Sequence, residues 1–411
     1  MLRVAILSNY VSPEAGRTLV GGVESASSYL IDALRDIEEL DIHVITCDQP
    51  TDTAVIERHQ GVTLHRLPGS SRGQVLTRYR AVRRRVRAQL ERIRPDVVHA
   101  QDLDKYALSL VGSRYRWVVT VHGLAREEAR YVDGWRDRLR TRLRAQLISE
   151  PALRSTRHLI AISPYVRRYF PVLANRRVYD IPNAIDERYF GINDPGMPDH
   201  LLYAGRVIPR KRVRELIEVV GLVRRDRPNV VLRVAGDLSD SAYAASLQEL
   251  IADRGLEDHV VFLGQLDEGS VLEEFRRCSA LALCSGQETA PMVIAQAMAA
   301  GKPVVATAVG GVADMVEHGV SGFVVGIDED DAFASHVFRV LSCPDEARRL
   351  GAAGKLKAER DYRASAVAAR TMDAYFDVAT AVRRLNQATI NVGNTTSSRA
   401  EVSSTALSRR S

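Results

Sequence analysis

Short apolar runs alternate with helical patterns through the first 370 residues, and that alternation confines the chain to layered α/β folds with parallel sheets. In the first half Val4–Leu7, Ile42–Thr46, Val97–His99, Trp117–Val121 and Leu159–Ile162 read as strands. Each is short and bounded by polar or turn residues, and most are rich in β-branched side chains. In the second half the strands read as Leu201–Tyr203, Val230–Val234, Val260–Leu263, Leu281–Leu283, Val304–Ala306 and Phe323–Val325. Helical patterns such as Arg214–Arg224 and Ser241–Asp253 lie between them. A chain of 411 residues is too long for one ordinary core, so two similar sets in series predict two Rossmann-like domains. Pro, Gly and Asp interrupt both periodicities at Asn193–His200 (NDPGMPDH), which sets the expected domains at 1–192 and 193–364. A helix over 365–385 is expected to pack back on the first domain. The Ser- and Thr-rich residues 386–411 lack an apolar pattern and should be disordered.

A large soluble core is available, since 45% of the residues are hydrophobic and 26% charged. Cys47, Cys278, Cys284 and Cys343 are scattered without paired spacing, which argues against a disulfide framework or structural zinc and fits a reducing compartment. No apolar run approaches membrane-spanning length, and Leu2–Ser8 (LRVAILS) is too short for a signal peptide, so a cytoplasmic protein is expected.

The net charge of +6 is unevenly spread. Residues 1–190 carry 31 basic against 22 acidic side chains, and the remainder 26 against 29. Two arginine-rich stretches, Arg72–Arg94 and Arg136–Arg157, hold most of the excess. Each has an apolar stripe at helical spacing: Val75, Tyr79, Val82, Val86 and Leu90 in one, Trp135, Leu139, Leu143 and Leu147 in the other. Two readings stay open for each. One is a Rossmann helix with solvated arginines; the other is a surface that meets anionic phospholipid, at the inner face of the plasma membrane, or a phosphorylated acceptor. Aromatic residues are not interleaved with the arginines, so nucleic acid is not an expected partner.

Two segments of the second half carry chemistry. In Glu288–Val305 (ETAPMVIAQAMAAGKPVV) a strand ends at Cys284 and Pro291 stands where a helix would begin, a position where its missing N–H costs nothing. The free N–H groups and dipole of such a helix, with Met292 and Val293 in its first turn, favour a phosphate. Glu288 precedes the helix and Gln296 lies about one and a half turns inside it, so the two can address different parts of one elongated ligand. In Tyr203–Arg212 (YAGRVIPRKR), Gly205, Arg206 and Lys211 follow a strand, and a forked guanidinium beside a point-charge ammonium suits a diphosphate. An ordinary buried helix and a solvated basic loop are the structural alternatives, and Arg210 and Arg212 are expected to be solvated.

Taken together, Gly205-Arg206, Lys211, Glu288, Gln296 and the Ala297–Val305 run resemble the second domain of glycosyltransferase family 4. The likeness continues through Gly310-Gly311 and Glu317 to Gly322 and, loosely, covers residues 1–380. It implies an α/β GT-B fold, two Rossmann-like domains facing a central cleft. It also implies a retaining, metal-independent glycosyltransferase without a cofactor. Such an enzyme would move a hexosyl group from a UDP- or GDP-sugar to a glycan or lipid-linked acceptor, in cell-surface polysaccharide or glycolipid synthesis. By this resemblance Arg206 and Lys211 hold the donor diphosphate, Glu288 the sugar hydroxyls, Gln296 the ribose, and Gly264 to Leu266 lie near the base. The family's second Glu is Gln296 here, which leaves a catalytically inactive partner protein as the alternative.

The first half adds weaker signals. Gly21-Gly22 opens a helix after a loop, and in the family such a loop lies beside the donor phosphate. His122 follows the strand Trp117–Val121, where the resemblance implies a donor-sugar contact. Asn183 and Asp186 read as largely structural; His99 and Asp102 are strand-end residues for which a structural role and a place near the acceptor both stay open. No GxGxxG fingerprint follows the first strand and no phosphate loop is present, which removes dehydrogenases and P-loop enzymes. Asp102-Leu103-Asp104 and Asp328-Glu329-Asp330 are poorly placed as metal ligands for a diphosphate. Nor can a carboxylate nucleophile be identified, so the implied route is front-face substitution.

Overall fold

The computed structural model describes residues 1–10, 21–49, 53–69, 74–131, 134–170 and 176–380. Two sheets follow one another along the chain. The first contains β1 (Leu2–Leu7), β2 (Leu40–Gln49), β3 (Val55–His59), β4 (Val62–Pro68), β5 (Val97–Gln101), β6 (Trp117–Val121), β7 (His158–Ala161) and β8 (Arg177–Asp180), in the order β3-β4-β2-β1-β5-β6-β7-β8. All its neighbours are parallel except β3 and β4. The second contains β9 (His200–Ala204), β10 (Val231–Ala235), β11 (Val260–Gly264), β12 (Ala280–Leu283), β13 (Val304–Thr307) and β14 (Phe323–Val325), ordered β11-β10-β9-β12-β13-β14 and wholly parallel. Strands β5, β6, β12 and β13 are buried along their whole length, which is why they read as unbroken apolar runs.

Strand order reverses between β1 and β5 in one sheet and between β9 and β12 in the other. The crevice outside the carboxyl ends at such a point is where open α/β sheets hold ligands. The two carboxyl edges face each other across a cleft. Ser163 Oγ donates to the Thr289 carbonyl at 2.8 Å, the Tyr131 hydroxyl donates to the Gly286 carbonyl at 2.6 Å, and Arg168 grips Asp314 with two bonds of 2.8 and 3.1 Å. After the second sheet, residues 364–380 are helical and lie against the first sheet, where the Tyr375 hydroxyl meets His99 Nδ1 at 2.7 Å. The predicted tail, 386–411, and the end of the 365–385 helix lie outside the described residues.

Each predicted strand is present close to its expected ends, but β3, β4 and β8 were not expected. Gln60 (φ 43°) and Gly61 (φ 86°) form the left-handed pair that a two-residue hairpin turn requires, and they join β3 to β4. Strand β3 is an exposed edge strand and β8 is four residues long with charged ends, so neither gives an apolar run.

The arginine-rich stretches differ from their expected extents. The first forms a helix only over Arg80–Ile93, because Arg78 and Tyr79 take left-handed conformations just before it. Its Val82, Val86, Leu90 and Ile93 are buried, whereas residues 72–73 lie outside the described residues. The second is split into an α-helix over Trp135–Arg144, a π-helical turn over Ala145–Ser149 and a further α-helix over Glu150–Ser155. Pro151 has no N–H to donate, and the widened turn before it absorbs the missing bond. No residue of Trp135–Arg144 is buried.

Candidate active site

The loop after β9 and the segment after β12 are zipped together at the strand reversal of the second sheet. Gly286 N–H donates to the Arg210 carbonyl at 2.9 Å, and Arg210 Nη1 donates to the Gln287 carbonyl at 2.8 Å. A 3-10 turn, Pro209–Lys211, then folds Lys211 back so that its ammonium pairs with Glu288 Oε1. Ser285 Oγ donates to the same oxygen at 2.7 Å. Burial alone would raise the Glu288 pKa, but the charges of Lys211 and Arg210 and these bonds hold the carboxyl below its usual range. Glu288 is therefore an anion fixed in place. Arg206, by contrast, is exposed and forms no ion pair among the described residues. Arg210 and Arg212 are not solvated as expected: Arg212 pairs with Asp328 at 2.7 Å, and both are partly buried.

Glycines close the backbone around this pair. A Cβ at Gly236 would fall 1.8 Å from the Gly205 carbonyl oxygen, and Gly236 N–H donates to Gly264 at 2.9 Å, so the ends of β9, β10 and β11 share one edge. Gly264 thus lies on that edge with β10 between it and Gly205, and the half-buried Leu266 follows two residues on. A Cβ at Gly310 or Gly311 would lie 1.7 Å or 2.0 Å from the Glu288 or Thr289 carbonyl oxygen, which gives the Gly-Gly pair a packing reason.

The helix Met292–Ala299 starts directly after Pro291 and all eight of its residues are buried. Met292 and Val293 form its first turn. A Cβ on Gly22, from the first half of the chain, would lie 3.6 Å from Met292 Cγ, so the Gly21-Gly22 loop meets this helix at its N-terminal end. Gly21 takes φ 102°, a conformation that favours glycine. Gln296 lies deeper, and its Nε2 donates to the Tyr189 hydroxyl at 3.1 Å. The structure gathers Gly21, Gly22, Gly205, Lys211, Glu288, Pro291, Met292 and Val293 at one stretch of the cleft.

His122 belongs to the other sheet, directly after β6. Its Nε2 lies 2.7 Å from Gln101 Oε1, and a carboxamide oxygen only accepts, so Nε2 carries the proton and Nδ1 is left with a lone pair. Gln101 Nε2 is 3.3 Å from His99 Nε2, and His99 also meets Thr120 Oγ1 at 2.7 Å and Tyr375. Burial lowers the His122 pKa to about 4, and burial and His122 lower that of His99 to about 3, so both rings are neutral near pH 7. The sequence reading missed Gln101. A signal was present: in Val97–Gln101 (VVHAQ) the strand period of two puts His99 and Gln101 on one face.

A cavity of about 400 Å³ opens at the same edge, lined among others by Asp102, Gly123, Glu128, Arg144, Tyr169 and Phe170. Asp102 sits at φ 78°, a strained value for a residue with a side chain. Burial raises its pKa, and burial together with Asp102 raises that of Asp104 to about 7. Asp186 is structural, capping Glu187–Phe190 by accepting from Arg188 N–H at 2.8 Å.

Two Rossmann-like sheets facing a cleft define the GT-B class of fold. Solved structures agree: sucrose-phosphate synthase from Thermosynechococcus elongatus aligns with TM-score 0.77 and 22% identity over 93% of this chain and 100% of that one. Anabaena Alr3699/HepE in complex with UDP-glucose aligns with TM-score 0.68 and 20% identity over 91% and 99%. The family model for Glycosyltransferase Family 4 matches residues 20–189, and that for Glycosyl transferases group 1 matches residues 186–357. D-inositol 3-phosphate glycosyltransferase of Streptomyces griseus is 36% identical over 180 residues, 42% of this chain and 38% of that protein. The match thus spans less than half the length of that relative. The chain belongs to glycosyltransferase family 4.

Proposed function

We propose that the protein is a retaining hexosyltransferase that moves a sugar from a UDP- or GDP-sugar to a glycan or lipid-linked acceptor, working at an anionic membrane surface. In this reading residues 1–192, with the 365–385 helix, form the acceptor side and residues 193–364 bind the donor. The observation that carries it is the meeting of Gly22 with Met292 beside the Lys211–Glu288 pair. That point offers a donor three things at once: free backbone N–H groups at a helix start, exposed positive charge from Arg206, and a fixed carboxylate.

The diphosphate would lie between Arg206 and the Met292–Ala299 N-terminus, with Lys211 turning one ammonium proton towards it. Glu288 would accept from hydroxyls of the sugar, and the His122 Nδ1 lone pair from another. Departure of the nucleotide builds charge on the leaving oxygen, which these cations stabilise, and that oxygen takes the acceptor's proton on the same face. Electrostatic help of this kind is often the largest catalytic contribution. Because Arg206, Lys211 and the helix supply the positive charge, turnover should persist in a chelator. The 400 Å³ cavity beside Gly123 is of the size that holds small ligands and suits the acceptor.

One observation favours a second reading. The Gln296 amide is committed to the Tyr189 hydroxyl, an internal partner, as it would be in a protein that had lost donor chemistry. A panel of nucleotide sugars, read by nucleotide release and by thermal stabilisation, separates the two. Release with at least one donor supports the transferase; stabilisation by none supports the inactive partner.

A further inference from the structure

The helices Arg80–Ile93 and Trp135–Arg144 are alike in composition and opposite in orientation. The first turns Val82, Val86, Leu90 and Ile93 into the core, as a Rossmann helix does. In the second, Trp135, Leu139 and Leu143 recur every four residues and so share one face, with Trp135 71% and Leu139 49% exposed. At 3.6 residues per turn, Arg136 and Arg140 border that face on one side and Arg138 and Arg142 on the other. Its remaining face carries Thr141 and Arg144, and these two line the 400 Å³ cavity. The stripe therefore looks outward at Trp135 and Leu139 and becomes half-buried only at Leu143, while Thr141 on the opposite side is half-buried against the cavity.

We infer that Trp135–Arg144 is the surface by which this protein docks on a bilayer containing anionic phospholipid. The helix holds five arginines and one acidic residue, Asp137, which pairs with Arg140 at 2.9 Å. A tryptophan and leucines flanked by arginines is the pattern of helices that lie in the membrane interface, where the apolar side chains enter the acyl boundary and the guanidinium groups meet phosphates. A second copy of the chain is a poorer occupant, because two such helices would bring like charges together. Docking this way would leave the cavity about one helix diameter from the lipid; the inference rests on the membrane-surface part of the proposed function and names the contact that makes it. Among the described residues no helix is long and apolar enough to cross a membrane, so the contact is superficial.

The full chain, mixed with vesicles of phosphatidylcholine and phosphatidylglycerol or of phosphatidylcholine alone, tests this by co-sedimentation and tryptophan emission. The protein has two tryptophans and Trp117 is buried, so a blue shift on adding vesicles reports Trp135. The mixed vesicles should bind and shift the emission, less so as salt rises, and the neutral vesicles should bind weakly. Trp135→Ser with Leu139→Ser should weaken binding about tenfold or more. Arg138→Gln with Arg142→Gln should weaken it roughly thirtyfold, whereas Arg84→Gln with Arg92→Gln, the same charge change on exposed arginines of the other helix, should alter it less than about threefold. Equal losses in the two arginine pairs, equal binding to both vesicles, or self-association without lipid that the Trp135 and Leu139 changes abolish, would each overturn the inference. Thermal stabilisation by a nucleotide sugar, measured on the same variants, checks their fold and reports the transferase reading separately.

Discussion

The two carboxyl edges that face each other across the cleft are built from different materials. On the second sheet the site is dense: Lys211 and Glu288 are paired, Arg210 is tied to Gln287, and glycines at 236, 310 and 311 let backbones touch. On the first sheet the edge holds two neutral histidines, His99 buried and His122 half-buried, with a strained Asp102, a cavity and a helix that exposes Trp135 and Leu139. A closely packed surface of paired charges suits a ligand part that does not vary, such as a diphosphate. A roomy surface with buried ionisable groups suits the part that differs among related enzymes.

The sharpest way to break this contrast is at its dense side. Lys211→Ala should cost about 2–4 kcal/mol in transition-state stabilisation. It should also destabilise the fold, by up to roughly 3 kcal/mol, because buried Glu288 loses its ion-pair partner and keeps only the Ser285 bond and the nearby Arg210 charge. Arg206→Ala should show the same kinetic loss with stability changed by less than about 0.5 kcal/mol, since its side chain is exposed. Kinetics and denaturant unfolding on both variants check this. Turnover within about tenfold of wild type for both would remove the cation pair from the mechanism.

The first half should dominate the response to acid. Burial holds His65 and His122 at about 4, and burial with the His122 charge holds His99 at about 3, all below the ordinary 6.5. Between those values and 6.5 the unfolded chain binds more protons, so stability falls as pH falls, by up to about 1.4 kcal/mol per pH unit for each ring. Asp104, raised to about 7, acts in the opposite sense: its charge is penalised above neutrality and relieved below it. Tm measured from pH 7 to pH 4 should drop, and Asp104→Asn should steepen the drop. A flat profile would contradict the buried neutral histidines.

Gln101→Leu probes the roomy side more locally. It removes the acceptor that fixes the His122 tautomer and leaves an N–H unpaired, at a cost of about 1–3 kcal/mol. The ring should then exchange between tautomers in nitrogen NMR spectra; an unchanged single tautomer would show that Gln101 does not position it.

How much of this the sequence discloses follows the same divide. The second-sheet segments are legible because their pattern is local: Gly205 to Lys211 and Glu288 to Val305 are each continuous in the chain. Gln101 and Tyr375 act through His122 and His99, 21 and 276 residues away along the chain; the strand period places Gln101 on the face of His99 but does not disclose which residue it holds. The strands that escaped notice, β3, β4 and β8, lie at or next to the edges of the first sheet, where burial on both faces is not required. Amphipathicity identified both arginine-rich helices but not which way each faces, because a stripe records a face and not what covers it.

The smallest effect belongs to Gln296. An amide can accept from one ribose hydroxyl and donate to the other oxygen, so Gln296→Glu should change nucleotide affinity less than about tenfold. Gln296→Ala should weaken it more, and it also strips Tyr189 of its amide partner. Calorimetry on the two variants orders them.

The central claim, that the Arg206, Lys211, Glu288 and helix N-terminus constellation holds a nucleotide-sugar diphosphate, is tested most directly by titrating UDP- and GDP-sugars into wild type and Arg206→Ala. The wild-type protein should bind at least one donor with Kd below about 1 mM, a free energy beyond −4 kcal/mol, and Arg206→Ala should bind it at least about tenfold more weakly. No binding to wild type at that concentration, or equal binding by Arg206→Ala, would contradict the account.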